Sequence, residues 1–254
     1  MKIFSFFFLV LAMFSNSFFS QPMVPLKQGF IPVVTAAQGG AGSFWRSDVW
    51  ITNTTSKTVE VELWVWTGNL RGESEGKTYT IGANSSLGIS NVVGDIGLDE
   101  GKTYFLNVNS QDNVSVGSRT YTESTERAGG TYGQFIPSFP YNKGFSISEK
   151  AIFPVPLDFT KARINVGIAN PGWSDANVSV KIFDDSNNLV YSNSVSIKKQ
   201  EVVQLNAINS ALSGYANGYV LIEISNSSPK SIYPYVSVVD YTGSNDPSFM
   251  FTLP

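Results

Sequence analysis

The sequence predicts an all-β protein made of two similar β-domains. Apolar and polar residues alternate in short runs that are rich in valine, isoleucine, threonine and aromatic residues. Clusters of glycine, asparagine, aspartate and serine separate these runs, and helical periodicity is nearly absent. Many short strands at such spacing are typical of a β-sandwich or a β-barrel.

The clearest predicted strands lie in both halves of the chain. They are VEVELWVW at 59–66, KTYFLNVN at 102–109, NVSVKIFDD at 177–185, GYVLIEIS at 218–225 and SFMFTL at 248–253. Between them, the oxygen-rich run at 184–188 has no EF-hand spacing, so we interpret it as a hairpin turn rather than a calcium loop. The glycine-rich run at 36–43 is interpreted as a flexible connection into the first strand.

An internal repeat indicates that the strand pattern occurs twice. The aligned pairs are RSDVWITNTT (46–55) with RINVGIANPG (163–172), VELWV (61–65) with VSVKI (178–182), SLGISNVVGDIG (86–97) with EVVQLNAINSAL (201–212), and GKTYFLNV (101–108) with ANGYVLIE (216–223). Each copy ends in a hairpin whose last strand carries a proline, in GQFIP and FTLP. We therefore predict a first domain at 21–140, a linker at 141–147 and a second domain at 148–254.

The N-terminus has the pattern of a signal peptide at 1–20. Lys2 provides the positive charge, residues 3–14 form an apolar run, and small residues follow. The run is too short for a comfortable membrane span and no second one occurs, so we expect no membrane span after cleavage. The alternative is a retained anchor. The predicted location of the mature protein is secreted or cell-surface, and the absence of cysteine favours bacterial export.

Composition excludes several classes of function. The net charge is −3 with 15% charged residues and no basic cluster, which argues against nucleic-acid binding. Histidine and cysteine are both absent, so zinc and thiol chemistry are excluded and we predict no metal and no cofactor. The carboxylates Asp48, Glu60 and Glu62 could cluster, but on a flat sheet face that offers no catalytic cleft. We therefore predict that the protein is not an enzyme.

Three motifs carry a resemblance to a known group of proteins. They are the W-R-S-D-x-W strand at Trp45 to Trp50, SRTY at 118–121, and GTYGQFIP at 130–137. With these motifs the chain resembles tandem repeats of immunoglobulin-like β-sandwich type in uncharacterised secreted bacterial proteins. The resemblance implies that fold and export, and it implies no activity. The second copy departs from the motif, because Gly167 occupies the place of Trp50.

The stretch FWRSDVWITN supplies the candidate binding face. Because side chains alternate along a strand, Val49 and Ile51 point to the core while Arg46, Asp48 and Trp50 point outward. On the next predicted strand, Glu62, Trp64 and Trp66 point outward. If a turn at 54–56 makes the two strands a hairpin, one register places Trp50 opposite Glu60, Asp48 opposite Glu62 and Arg46 opposite Trp64. All six outward residues then share one face.

The second copy serves as an internal control for this face. Both copies have an arginine at the equivalent position, Arg46 and Arg163, which we interpret as structural. The tryptophans and Asp48 occur only in the first copy, so we expect that the fold does not need them.

Three kinds of contact could shield this face from water. They are packing by another part of this chain, binding of a protein partner or a second copy of the chain, and binding of a glycan. The predicted function is a non-catalytic, adhesion-like or envelope-associated binding or structural protein. One alternative is a carbohydrate-binding module. The other is a self-assembling envelope subunit in which the strands FIP (30–32) and FTLP pair between molecules. Tyr121, Arg127 and Tyr132, in a long hairpin of the first copy, are second-tier candidates.

Overall fold

Antiparallel β-strands form most of this computed structural model. It describes residues 25–39, 42–68, 73–124, 128–157, 162–208, 212, 214–215, 217–226, 231–240 and 247–254. The predicted signal peptide at 1–20 and Arg127 lie outside the described residues. Strands account for 67% and helix for 4%, which confirms the all-β prediction. Among the described residues, no helix is both long and apolar enough to cross a membrane.

The described chain contains the following elements. They are β1 (Leu26–Gln38), β2 (Phe44–Asn53), β3 (Val59–Trp66), β4 (Ser74–Ile81), β5 (Ser85–Ile89), α1 (Val92–Ile96), β6 (Thr103–Glu123), β7 (Thr131–Pro137), β8 (Lys150–Pro156), β9 (Ala162–Asn170), β10 (Ala176–Asp184), β11 (Leu189–Ile197), β12 (Glu201–Leu205), β13 (Asn217–Asn226), β14 (Tyr233–Asp240) and β15 (Pro247–Phe251). The period-2 runs therefore located the strands well, and β3 has the predicted bounds.

The first seven strands form one sheet that curls into a half-barrel. Its order is β4-β3-β6-β1-β2-β5, and β7 pairs with β6. The long strand β6 makes the curl possible, because its first half pairs with β1 and β3 while its second half pairs with β2 and β7. The predicted inward residues of β2 and β3, among them Val49, Ile51 and Leu63, are fully buried inside the curl. Apolar burial on this inner face holds the sheet in shape.

The remaining strands form two four-stranded antiparallel sheets. Their orders are β11-β10-β13-β8 and β12-β9-β14-β15. A second apolar cluster, which includes Ile164, Val180 and Ile222, fills the space between them. The β10–β11 turn confirms the hairpin interpretation of 184–188: Asp184 Oδ1 accepts hydrogen bonds from the backbone N–H groups of Ser186 and Asn188, at 3.0 and 2.7 Å.

An aromatic cluster joins β1 and β6 to the later strands. Phe30 stacks on Phe105 with ring centroids 4.7 Å apart and meets the edge of Tyr233 at 4.6 Å. Phe30 is fully buried in β1, where it pairs with Asn107 of β6 on one side and with the backbone of Phe139 on the other. The segment FIP at 30–32 is therefore no free edge strand, which corrects its predicted pairing between molecules. Part of the glycine-rich run at 36–43 also differs from prediction, since it belongs to β1.

Two buried asparagines make equivalent hydrogen bonds at the ends of β2 and β9. Asn53 Nδ2 donates to the backbone carbonyls of Lys57, Ile81 and Gly82 at 2.7, 3.3 and 2.9 Å. Asn170 Nδ2 donates to those of Ser174, Ile197 and Lys198 at 2.9, 3.4 and 3.1 Å. Each side chain ties the loop after its own strand to the end of a strand with which its own strand does not pair, β4 for Asn53 and β11 for Asn170. The tandem repeat, its immunoglobulin-like type and the domain boundaries stay predictions.

Candidate functional site

The predicted hairpin between β2 and β3 does not form. The strand β2 pairs with β1, β5 and β6, whereas β3 pairs with β4 and β6. Asn53 Nδ2 donates to the carbonyl of Lys57, in the loop at 54–58, and to that of Gly82, just after β4. These two bonds direct the chain from one side of the curl to the other. Both apolar faces point inward, as predicted. The six outward residues therefore lie on two different outer faces.

The first outer face belongs to β2, β6 and β7. Arg46 lies opposite Tyr121, Asp48 opposite Arg119, and Trp50 opposite Gly117. Arg46 does not reach Trp64. Its guanidinium lies 5.6 Å from the Phe44 ring centroid, and its Nη1 lies 3.6 Å from a Glu123 carboxylate oxygen. Tyr121, a second-tier candidate, therefore lies on the same face as Arg46, Asp48 and Trp50.

Asp48 has a structural role that the sequence comparison missed. Its Oδ1 accepts a hydrogen bond of 2.8 Å from the backbone N–H of Asn91, a residue held at φ 47° beside α1. In the later half, Asn165 Oδ1 accepts from the backbone N–H of Ala207, at 3.1 Å and φ 45°. Both side chains bind the backbone of a left-handed turn, a contact that the prediction for Asp48 did not include.

Trp50 is the exposed centre of this first face. Its indole lies against Gly88 of β5, where an added Cβ would be 3.3 Å from Nε1. The side chain is 42% exposed, and Phe135 of β7, which sequence analysis did not select, is 50% exposed. Arg119 lies 5.3 Å from the Tyr121 ring centroid. Burial raises the pKa of Tyr121, so its hydroxyl stays protonated at neutral pH.

Tyr132 does not share this face. It lies opposite Thr122, whereas Tyr121 lies opposite Gly133, so the two tyrosines point to opposite sides of the β6–β7 pair.

The second outer face belongs to β3, β6 and β1. Glu62 lies opposite Asn109 and Trp64 opposite Asn107 on β6, and Gln28 of β1 continues the Glu62 row. Trp66 is partly covered by the later half of the chain: the Trp173 ring meets it edge-on at 5.8 Å and Lys199 Nζ lies 5.3 Å from its centroid. Another part of this chain therefore covers one predicted tryptophan.

A groove of about 500 Å³ lies beside these tryptophans. Three aromatic side chains, Trp64, Tyr141 and Trp173, contribute to its lining. Trp173 is 65% exposed, in the loop between β9 and β10. The polar lining consists of Gln28, Asn109, Gln200 and Ser231, with Val108, Pro171 and Gly172 completing the wall. None of these described lining residues carries a charge.

Two hydrogen-bonded side chains hold the groove in shape. Tyr141 Oη donates to Asn107 Oδ1 at 2.7 Å, and burial raises the Tyr141 pKa, so this donor is protonated at neutral pH. Gln200 Nε2 donates to the Pro171 carbonyl, which fixes the loop that carries Trp173. Gln200 Oε1 is buried without a hydrogen-bond partner. A preformed groove of this kind can bind a ligand with little reorganisation.

Sequence analysis predicted the Trp64 side of the groove and missed the other side. Trp173 directly follows the aligned segment RINVGIANPG, in the run PGWS. A large aromatic residue among small turn residues indicates an exposed side chain, so the sequence did carry a signal for Trp173. Tyr141 and Gln200 carry no comparable signal, since their roles depend on contacts between distant segments.

The difference between Trp50 and Gly167 also has a structural cause. An added Cβ on Gly167 would lie 1.8 Å from Tyr235 Cζ, so the tyrosine ring occupies the space above the glycine. Tyr235 is 2% exposed and packs against the apolar cluster inside the first sheet. The Gly167 face of β9 is therefore an internal interface, whereas the Trp50 face of β2 is exposed.

Comparisons with known proteins give distant structural likenesses. No protein-family model and no curated protein matches the chain. A Thermotoga maritima protein aligns at 13% identity and TM-score 0.36, over 45% of this chain and 93% of its own. A Parabacteroides distasonis protein described as secreted aligns at 11% and 0.23, over 84% and 95%. A glycosyl hydrolase family 2 member from Bacteroides cellulosilyticus aligns at 7% and 0.19, over 89% and 27%. These likenesses assign no function.

Proposed function

We propose that this is a secreted, non-catalytic protein that binds a neutral glycan in the groove between Trp64 and Trp173. In this proposal two tandem immunoglobulin-like sandwiches form the scaffold, and the equivalent hydrogen bonds of Asn53 and Asn170 support that repeat. The signal-peptide pattern at 1–20 supports export.

The exposed Trp173 ring beside Trp64 is the observation that carries the proposal. An indole exposed to this extent loses contact with water only when a ligand covers it, and flat sugar faces are suited to stack on such rings. Amides of Gln28 and Asn109 offer both donors and acceptors to sugar hydroxyls. The uncharged lining favours neutral over acidic glycans, because burying a charged group without a partner is costly.

Retention on insoluble polysaccharides and on purified bacterial cell wall tests this proposal. We expect the mature protein to be retained on at least one of these polymers and the Trp173→Ala variant to be released. Trp50→Ala is the matched control, because it removes an exposed tryptophan from the other outer face. Equal retention of all three proteins would contradict the groove assignment. A reducing-sugar assay on the retained fraction checks the non-catalytic part, which released product would refute.

A protein partner at the Trp50 face is the second candidate function. Trp50 and Phe135 are both exposed on the outer face of the first sheet, with the cations of Arg46 and Arg119 beside them. Aromatic residues and arginine are enriched at protein interfaces. If the partner is a second copy of this chain, light scattering should show a concentration-dependent mass that the Trp50→Ala variant lacks. A constant monomer mass would leave a different protein as the partner.

A further inference from the structure

A second cavity, of about 380 Å³, lies between the first sheet and the β9 sheet. We call it the Arg163 cavity. Its wall on the first sheet includes Thr35, Trp45 and Gln134, and its wall on the β9 side includes Arg163 and Asn206. Asn206 is exposed at the rim, so the cavity is reached from solvent. This cavity shares no lining residue with the Trp173 groove.

Arg163 brings an unbalanced positive charge to this cavity. Its Nε is buried and has no hydrogen-bond partner among the residues that the structure describes. Among the described residues that line the cavity, none is acidic. The equivalent arginine in the first half behaves differently, since Arg46 has the Glu123 carboxylate at 3.6 Å. Arg163 as a whole is half-buried, and a buried N–H without a partner on a guanidinium that lacks a counter-charge is destabilising. A bound anion would remove that cost.

The neighbouring amides are held in fixed orientations. Gln134 Oε1 accepts a hydrogen bond of 3.1 Å from Ser237, which ties the two walls together. Gln204, another lining residue, accepts from Tyr235 Oη at 2.9 Å and donates to Asn206 Oδ1 at 2.6 Å. Gln134 lines the cavity, and with its carbonyl oxygen engaged its side chain has amide N–H donors to offer a ligand. Such groups are suited to hydroxyl oxygens.

Trp45 supplies an apolar surface beside these polar groups. Its indole packs against Gly39, where an added Cβ would lie 2.4 Å from Nε1, and Nε1 itself donates to Ser43 Oγ at 3.0 Å. The ring is thus fixed in position. The cavity therefore combines a guanidinium whose Nε has no partner in the described part of the chain, oriented amides and hydroxyls, and a rigid aromatic ring.

We propose that the Arg163 cavity binds a hexuronic acid, a monosaccharide that carries a carboxylate. The guanidinium pairs with the carboxylate, a geometry in which arginine forms two parallel hydrogen bonds. The amide and hydroxyl groups bind the sugar hydroxyls, and Trp45 contacts the sugar face. The volume suits one sugar unit, since it lies near the lower end of the range for small-molecule sites.

Isothermal titration calorimetry with sodium glucuronate and sodium galacturonate at neutral pH tests this inference. Glucose and acetate are the controls for the carboxylate and for the sugar ring. We expect at least one hexuronate to bind, both controls to bind at least about tenfold more weakly, and Arg163→Gln to weaken hexuronate binding by at least about tenfold. Arg46→Gln is the matched control and should bind as the unaltered protein does.

The inference is overturned if neither hexuronate binds, if acetate or glucose binds equally well, or if Arg163→Gln binds unchanged. Circular dichroism checks that the variant is folded. If Arg163→Gln does not fold, Gln134→Ala replaces it, and unchanged hexuronate affinity in that variant overturns the inference. Trp173→Ala separates this site from the glycan groove, because it should leave hexuronate binding intact.

Discussion

Replacing Asn53 with alanine removes the hydrogen bonds that carry the chain from β2 to β3. The side chain is fully buried. Its Nδ2 donates to three backbone carbonyls, and its Oδ1 accepts from the Thr55 backbone N–H at 2.9 Å and from Thr55 Oγ1 at 2.8 Å. Each neutral hydrogen bond contributes about 1 kcal/mol net, so we expect the free energy of unfolding to fall by about 3–5 kcal/mol.

Urea denaturation followed by circular dichroism measures this loss. Asn170→Ala should lower the free energy of unfolding by a similar amount, because Asn170 makes the equivalent bonds to three carbonyls and to the Gly172 N–H. Asn113→Ala, at an exposed position, is the control and should change it by less than about 0.5 kcal/mol. A loss below about 1 kcal/mol for Asn53→Ala would refute the reasoning that this side chain anchors the crossing.

Two further predictions concern packing and acid stability. Gly167→Ala should lower the free energy of unfolding by about 1–3 kcal/mol in the same urea assay, because the new methyl group collides with the Tyr235 ring; an unchanged value would contradict the tight contact. Asp95 accepts a hydrogen bond of 2.6 Å from Tyr79 Oη and lies 3.0 Å from Lys77 Nζ; these contacts lower its pKa in the folded protein. This stabilisation is present above the unfolded-state pKa of about 3.9 and is lost as the pH falls through the lower pKa of the folded protein. The free energy of unfolding of Asp95→Asn should therefore depend less on pH below about pH 4 than that of the unaltered protein. If the free energy of unfolding falls with acid equally steeply in both proteins, Asp95 does not have this stabilising role.

The alternation of residues was sufficient to predict the strands and their inner faces. Val49, Ile51 and Leu63 are buried as the period of two requires. Alternation does not determine which strands pair, however, because a short turn between two strands can close a hairpin or cross between two layers. Here Asn53 decides the crossing through bonds to Lys57 and to the distant Gly82. For that reason the six residues that were predicted to share one binding face lie on two different outer faces.

The aligned segments already contained part of the missing information. Asn53 and Asn170 occupy matching positions in RSDVWITNTT and RINVGIANPG, and a polar residue shared at the end of two apolar strands indicates a buried hydrogen-bonding role. The contrast of Trp50 with Gly167 was also visible, but its cause was not. That cause is the Tyr235 ring, which only the packed structure places above the glycine.

Affinity electrophoresis through gels that contain soluble neutral polysaccharides tests the central claim most directly. We compare the mature protein with Trp173→Ala, Trp64→Ala and the control Trp50→Ala. The account predicts that a neutral polysaccharide retards the mature protein and the Trp50→Ala variant, and that both groove variants migrate as they do without polysaccharide. Retardation lost only in Trp50→Ala would contradict it and would place the glycan on the other face. Failure of every polysaccharide to retard the mature protein would contradict glycan binding itself.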